Sequence, residues 1–491
     1  MVNIVVFGIG ESYRNREHFF KENSSRIHIV GFIDNNQAVQ GKVLNGVKVY
    51  APDDIFQIHF DSIVILSNRY KKEMSRQVLD LGIEQNLIWD EKKLIQNVLR
   101  GKRTLYNGKK CNCYTKKEKI LIVTTNMGFD GGTMVAVYAA QALQNRGYEV
   151  MLTAPIIKEN LLEEILQEGL SITIVECLPY FFEEDREWVC YYDIVLVNVF
   201  QMMNCAYQIS KIRPVLWWIH ENRSIWNSIY QDTQREFNEI NSREWMNRLQ
   251  VVGVSNVAKE AFNHFYPSIS DRIMPFGIPD KYIKNDNNEL CNRKIIFAVV
   301  AGFAMYKGQE ILVRAIKKLS KQENQMIEVW FIGFEETVRP WLGLEESEGD
   351  NFRFFGVLLH KEVIKIFPQI DVLVCPSLIE TMSMSTIEGL MYGKLCITTD
   401  QTGIAKYITD GINGFVVKAN DPDDLKNRIE WIIQNKDKWD PIKRNARNTY
   451  EQEFTLELFG ERLEFELKRC KEKFYEDIVN VPSTISQSKG K

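Results

Sequence analysis

The sequence predicts an α/β chain of three parts, each built on a mainly parallel sheet. Short β-branched runs alternate with helix-compatible stretches, the pattern of parallel strands with helices on their faces. The alternation stops at a basic stretch, residues 101–118, and restarts at Lys119. A second break, Pro275-Phe276-Gly277-Ile278-Pro279, precedes a third series that begins near Lys294.

The elements follow in order. Residues 3–7 form a β-branched run ending at Gly8, and 27–33 a second ending at Asp34. Residues 47–50 and 62–66 are two more strands, and 71–81 is helix-compatible. Residues 1–100 thus read as one α/β domain. Residues 101–118, GKRTLYNGKKCNCYTKKE, carry no sustained apolar period and read as a linker. A solvated tether is one reading of that stretch, and a patch for the anionic cytoplasmic membrane surface is the sharper one.

From Lys119 the pattern is strand 120–124, glycine-rich turn 130–132 and helix 133–146, which Gly147 ends. Strands follow at 149–153, 194–198, 215–219 and 251–255, giving a domain over 119–280. In the third series, 295–301, 328–332, 351–355, 371–375 and 395–399 read as strands. Residues 309–319 and 385–392 read as helices, and 425–433 and 456–474 as amphipathic helices. This domain spans 281–475. Residues 476–491 are a tail, with disorder expected over 483–491.

Composition narrows the function classes. A chain of 491 residues suffices for several buried cores, and 45% hydrophobic with 26% charged residues is ordinary for a globular protein. A net charge of −4 gives no support to a nucleic-acid partner. No apolar run reaches the ~18 residues of a membrane-spanning helix. The start, MVNIVVFGIG, lacks a basic region and reads as a strand rather than a signal peptide. Nine scattered cysteines, an odd number, fit a reduced, cytoplasmic protein. Cys111 and Cys113 have no second pair at zinc spacing, and the six histidines show no metal spacing, so no metal site is expected.

One stretch carries chemistry. In Pro376-Ser-Leu-Ile-Glu380-Thr-Met-Ser-Met-Ser-Thr-Ile-Glu388-Gly, Glu380 falls in the turn after a strand and Glu388 about one turn into the next helix. Ser383, Met384 and Ser385 form the helix entry. A helix start presents free N–H groups and a positive dipole end, which suit a phosphate. Carboxylates accept pairs of hydrogen bonds from vicinal hydroxyls. The combination points to a nucleotide-sugar site. Either glutamate alone reads more simply as a solvated charge.

This PSxxE-x7-E stretch, with GKLCITTDQTGIAKYITDGINGFVV after it, resembles the donor-site region of family-4 retaining glycosyltransferases with the GT-B fold. Gly131 and Gly132 match that family's first glycine turn, His220 in WWIHE its cleft histidine, and Lys307-Gly308 its donor-phosphate lysine. The resemblance spans about 119–475. It implies two Rossmann-like domains facing a cleft, preceded here by a further small Rossmann-like domain, with helix 456–474 crossing back to brace the first lobe. Glu388 would then bind the nucleotide ribose, Glu380 the donor sugar, Lys307 the leaving diphosphate, and His220 would sit near sugar and acceptor. The implied reaction is metal-independent glycosyl transfer with retention, from a nucleoside-diphosphate sugar to a saccharide, lipid-linked or glycoprotein acceptor, in bacterial surface polysaccharide or glycan synthesis. No cofactor is required. The expected place is the cytoplasm, with peripheral contact at the inner face of the membrane.

Three positions depart from the family. Phe303 follows the glycine beside which an arginine is common, Gln401-Thr402-Gly403 stands where a glycine pair is usual, and Ser383 replaces a glycine. They keep a non-catalytic GT-B partner subunit in view. A nucleotide-sugar epimerase is the enzymatic alternative. Trp217, Trp218 and Trp226 read as core, or else as a platform for sugar or lipid. In the N-terminal domain, Gly8-Ile-Gly10 after a strand and Asp34 at the end of the next form part of a dinucleotide fingerprint, with Tyr13 at the third glycine position. An NAD-type nucleotide is the ligand this fragment would take.

Overall fold

Strands covered on both faces read as continuous apolar runs. VNIVVF does so and becomes β1 (Val2–Phe7), with Ile4, Val5 and Val6 fully buried. In the computed structural model, the described residues are all except 68, 109–117, 129–130, 228–243, 283–292, 345–350 and 481–491. The readings of Cys111 and Cys113, of Asp130 and of the 483–491 tail lie outside the described residues. The chain divides into two compact units, Met1–Lys102 and Arg103–Lys491.

The first unit adds β2 (Ile27–Ile33), β3 (Val43–Leu44), β4 (Val47–Tyr50), β5 (Ser62–Ile65) and β6 (Ile88–Asp90). Their order is β3-β4-β2-β1-β5-β6. Every pair is parallel except the β3–β4 hairpin. Asn45 and Gly46 turn that hairpin with φ of 51° and 81°, the positive pair a two-residue loop needs. The sheet therefore winds in both directions from β1.

The second unit holds two sheets. Strands β7 (Thr104–Tyr106), β8 (Lys119–Val123), β9 (Glu149–Ala154), β10 (Ser171–Ile174), β11 (Ile194–Asn198), β12 (Val215–Ile219), β13 (Gln250–Gly253) and β14 (Arg272–Ile273) run in the order β14-β13-β12-β11-β8-β9-β10-β7. Strands β15 (Ile295–Val300), β16 (Ile327–Ile332), β17 (Phe352–Phe354), β18 (Val372–Cys375), β19 (Leu395–Thr399) and β20 (Phe415–Val417) run β17-β16-β15-β18-β19-β20, all parallel. The predicted strands are all present. So are the helices at 133–146 (Gly131–Asn145), 309–319 (Gln309–Lys317), 385–392 (Met384–Met391) and 425–433 (Pro422–Gln434).

Two expectations need correction. The stretch read as a linker contains β7, which pairs antiparallel with β10 at the sheet edge, and Gly108 N–H donates to Ser171 Oγ at 3.1 Å. Three residues, Thr-Leu-Tyr, are too short to show a period among basic neighbours. The tail does not begin at 476, because the last helix runs Leu456–Asn480.

That helix returns to the first lobe. Its Glu464 accepts from Arg146 Nε at 2.6 Å and Tyr148 OH at 3.0 Å. Its Glu466 accepts from Gln250 at 3.0 Å and Arg272 at 2.7 Å, and Phe459 lies 5.4 Å from the Trp218 ring. Trp217, Trp218 and Trp226 are 0% exposed, so they are core and no platform. No helix among the described residues is long and apolar enough to cross a membrane.

Candidate functional site

The C-terminal ends of parallel strands are where open α/β sheets bind ligands. In the second unit those ends face a cleft of about 1170 Å³. Gly131, Gly132 and His220 line it from the β8–β14 lobe. Lys307, Glu380, Ser383, Met384, Ser385 and Glu388 line it from the β15–β20 lobe. The structure thus brings together these nine residues, which are up to 257 positions apart (388 − 131).

On the second lobe, β18 ends at Cys375 and the helix Met384–Met391 begins nine residues later. Ser383 is its N-cap. The Ser383 hydroxyl accepts the Thr386 N–H at 3.2 Å and the Thr386 hydroxyl proton at 2.8 Å. The other first-turn N–H groups, those of Met384 and Ser385, have no acceptor within the helix, and both residues line the cleft. Glu388 is buried one turn further in.

Lys307 is ion-paired to Glu380. Burial pulls the lysine's pKa down, but the charge of Glu380 and its hydrogen bond more than offset this, so it lies above the ordinary lysine range. Gly308 lets the Lys307 turn approach β18. Its φ is 65°, and a Cβ there would lie 2.1 Å from the Pro376 carbonyl oxygen. Gly403 serves Glu380: its N–H donates to the Glu380 carbonyl at 2.9 Å, while Glu380 N–H reaches the Gln401 carbonyl at 3.2 Å. A Cβ at Gly403 would sit 1.9 Å from the Thr381 carbonyl oxygen. Phe303, at the position without arginine, packs 5.7 Å from the Phe334 ring.

On the first lobe, His220 follows β12 directly. Its ring lies 4.4 Å from that of Trp218, and its buried Nε2 has no hydrogen-bond partner among the described residues. Burial lowers its pKa to about 3, so the ring is neutral. The Thr381 hydroxyl, from the second lobe, donates to the His220 carbonyl at 2.7 Å. Asn198 donates to the Gly132 carbonyl at 3.0 Å and holds the glycine turn.

Sequence reading passed over Glu221. It is buried, and its carboxylate accepts the Phe200 N–H at 2.7 Å and the His220 N–H at 3.1 Å. Burial raises its pKa to about 7 against those hydrogen bonds. The only local signal was a carboxylate beside an apolar WWI run. Among the described lining residues the cations are Lys158 and Lys307, and the carboxylates are Glu221, Glu380 and Glu388.

In the first unit, Gly8, Gly10 and Asp34 meet at the ends of β1 and β2. Asp34 accepts the Ile9 N–H at 3.0 Å and the Asn36 N–H at 2.8 Å, so both its oxygens brace the local turns. A Cβ at Gly10 would meet open space.

Comparison with known proteins follows this division. Residues 281–449 match the family described as glycosyl transferases group 1. Residues 1–89 match the one described as C2185-like, N-terminal. A glycogen synthase of Clostridium beijerinckii is 29% identical over 168 residues, 31% of this chain and 34% of that protein. The capsular polysaccharide biosynthesis glycosyltransferase CapM of Staphylococcus aureus is 26% identical over 221 residues, 43% of this chain and 56% of that one. The chain thus spans 34% to 56% of the length of these curated relatives. Among solved structures, Anabaena Alr3699/HepE in complex with UDP aligns over 72% of this chain and 100% of its own, with TM-score 0.58 and 16% identity. Sucrose-phosphate synthase of Thermosynechococcus elongatus aligns over 72% and 99%, with TM-score 0.58 and 16% identity. The likeness shows the fold: the second unit has the GT-B arrangement, two α/β lobes facing a cleft.

Proposed function

We propose that the chain transfers a sugar from a nucleoside diphosphate to a hydroxyl of a saccharide, lipid-linked or glycoprotein acceptor, with retention at the anomeric carbon. The observation that carries this reading is the joining of a capped helix start, a buried Glu388 one turn inside it and the Lys307–Glu380 pair in one cleft. The part that matches glycosyl transferases group 1, residues 281–449, contains all of them. The Anabaena neighbour holds UDP, and related crystals of it hold UDP-glucose. CapM and the glycogen synthase are named for polymer synthesis, and bacterial surface polysaccharide is the setting we favour.

In this reading the Glu388 carboxylate accepts the ribose hydroxyls and the N–H groups of Met384 and Ser385 take up the diphosphate, without a metal. Lys307 exchanges Glu380 for the phosphate, and Glu380 then turns to the sugar hydroxyls. As the glycosidic bond breaks, negative charge grows on the leaving phosphate, where fixed donors count most. That phosphate assists attack from the same face. Neutral His220 stands near sugar and acceptor. The N-terminal unit serves regulation, acceptor choice or assembly. The protein works at the cytoplasmic side, with peripheral contact at the membrane.

A panel of sugar nucleotides with saccharide acceptors tests this. Release of nucleoside diphosphate with glycosylated product supports it. In Glu388→Ala, donor affinity should fall by about 1.5–3 kcal/mol, the value of a charged hydrogen-bond partner. Unchanged affinity and turnover in that folded variant would remove Glu388 from the site. One observation favours a second reading: Lys307 is engaged by Glu380, and no arginine is among the described lining residues. A non-catalytic partner subunit would bind donor without turnover. An epimerase would return a new sugar nucleotide.

A further inference from the structure

Two neighbouring strands end at one carboxylate. Strand β11 stops at Asn198 and β12 at Ile219, and the chain beyond each turns against Glu221. Between Asn198 and Phe200, Val199 adopts φ 72° and ψ 156°. That region belongs essentially to glycine, and a β-branched residue enters it only when its surroundings force it. The surroundings are visible. Val199 N–H donates to the Trp218 carbonyl at 3.1 Å. The Val199 carbonyl accepts the Trp217 indole N–H at 3.2 Å, and the next residue's N–H is held by Glu221. Glu221 is only 4% exposed, an expensive place for a carboxylate. An apolar side chain would avoid that cost but release both N–H groups.

We propose that Glu221 is a positioning residue: its carboxylate holds the strained Val199 turn and the His220 backbone, and so shapes the first-lobe wall of the cleft that receives the acceptor. The proposal rests on the glycosyl-transfer reading of the cleft. Val199, Gln201, His220 and Asn222 line that wall. Through the Thr381 hydroxyl on the His220 carbonyl, the wall also touches the loop that carries Glu380. Lys307 and Glu388 stand on the other lobe, apart from it.

Glu221→Gln keeps the size and one accepting oxygen, but points an NH₂ at a backbone N–H. In the full-length chain it should lower kcat by roughly 10- to 100-fold, the range for a small misplacement of a reacting group. Acceptor KM should rise. Affinity for a panel of UDP, GDP, ADP and dTDP, measured by calorimetry, should stay as in the wild type. Adding Val199→Gly should restore most of the lost kcat, because glycine takes the same φ and ψ without strain. Three results would overturn the proposal: wild-type kcat in Glu221→Gln, equal loss of nucleotide affinity and kcat, or no rescue by Val199→Gly. If the wild type turns over no donor, the glycosyl-transfer reading fails by itself. Melting temperatures then decide the positioning claim. Val199→Gly must recover what Glu221→Gln loses, and purely additive effects overturn it.

Discussion

Lys307 answers to two opposing influences, and the stronger one depends on what fills the cleft. With Glu380 as its partner it is neutralised, so an incoming diphosphate has to compete for it. Lys307→Ala should therefore lower turnover by on the order of 10²-fold, as removal of one preorganised electrostatic stabiliser does, with a smaller effect on donor affinity. Lys307→Arg should recover only part, since a planar fork does not replace a compact point charge. Steady-state kinetics beside donor calorimetry checks both. Glu221 and His220 make a different forecast, for stability. Glu221 is raised from an ordinary 4.5 to about 7, so its favourable contribution is full below pH 4.5 and lost as pH rises to about 7. His220 is lowered from 6.5 to about 3, so its contribution is full above pH 6.5 and lost on acidification toward 3. Between pH 4.5 and 6.5 the two oppose each other. Glu221→Gln should thus gain stability relative to the wild type as pH rises from 4.5 to 7, by on the order of 3 kcal/mol. Melting temperature against pH for both proteins checks it, and a constant difference between them would end the claim. Sequence alone singled out Glu380, Ser383, Met384, Ser385 and Glu388 as candidates, because they share one contiguous stretch, and the structure lines one cleft with them. The Phe200–Glu221 hydrogen bond spans 21 positions and the Thr381–His220 one 161, beyond any local pattern.

At the scale of elements, periodicity found the strands that are long and covered on both faces. It missed β3, β6, β7, β10, β14 and β20, which have two to four residues, too few to show a period. It also missed the helix Trp439–Glu453, whose apolar positions are sparse among charges. The Glu380 loop shows why a glycine can matter more than its neighbours. Strand pairing at Glu380 and Thr402 draws Gly403 against Thr381 and against Ser255 of the first lobe. Gly403→Ala should cost about 1–3 kcal/mol, the scale of overpacking, and displace Glu380. The expected outcome is a lower melting temperature with a raised donor KM. An unchanged melting temperature would mean that the loop yields freely.

For the whole molecule, the division at residue 102 leads us to predict that Arg103–Lys491 folds without the first unit. A chain starting at Arg103 keeps β7 on its sheet edge, and one starting at Lys119 loses it. The longer fragment should melt higher, and circular dichroism of both checks this. The crossing of the last helix back to the first lobe has a consequence in time. Arg146 waits 318 residues for Glu464, and Gln250 waits 216 for Glu466. At a ribosomal pace of roughly 5–20 residues per second, the wait for Glu464 is tens of seconds. The first lobe is among the earlier parts to emerge and among the last to be sealed. Its open helix face spends that interval exposed to chaperones and proteases, so a ribosome that stalls near residue 450 leaves a nascent chain carrying every cleft residue but not the brace that closes its first lobe.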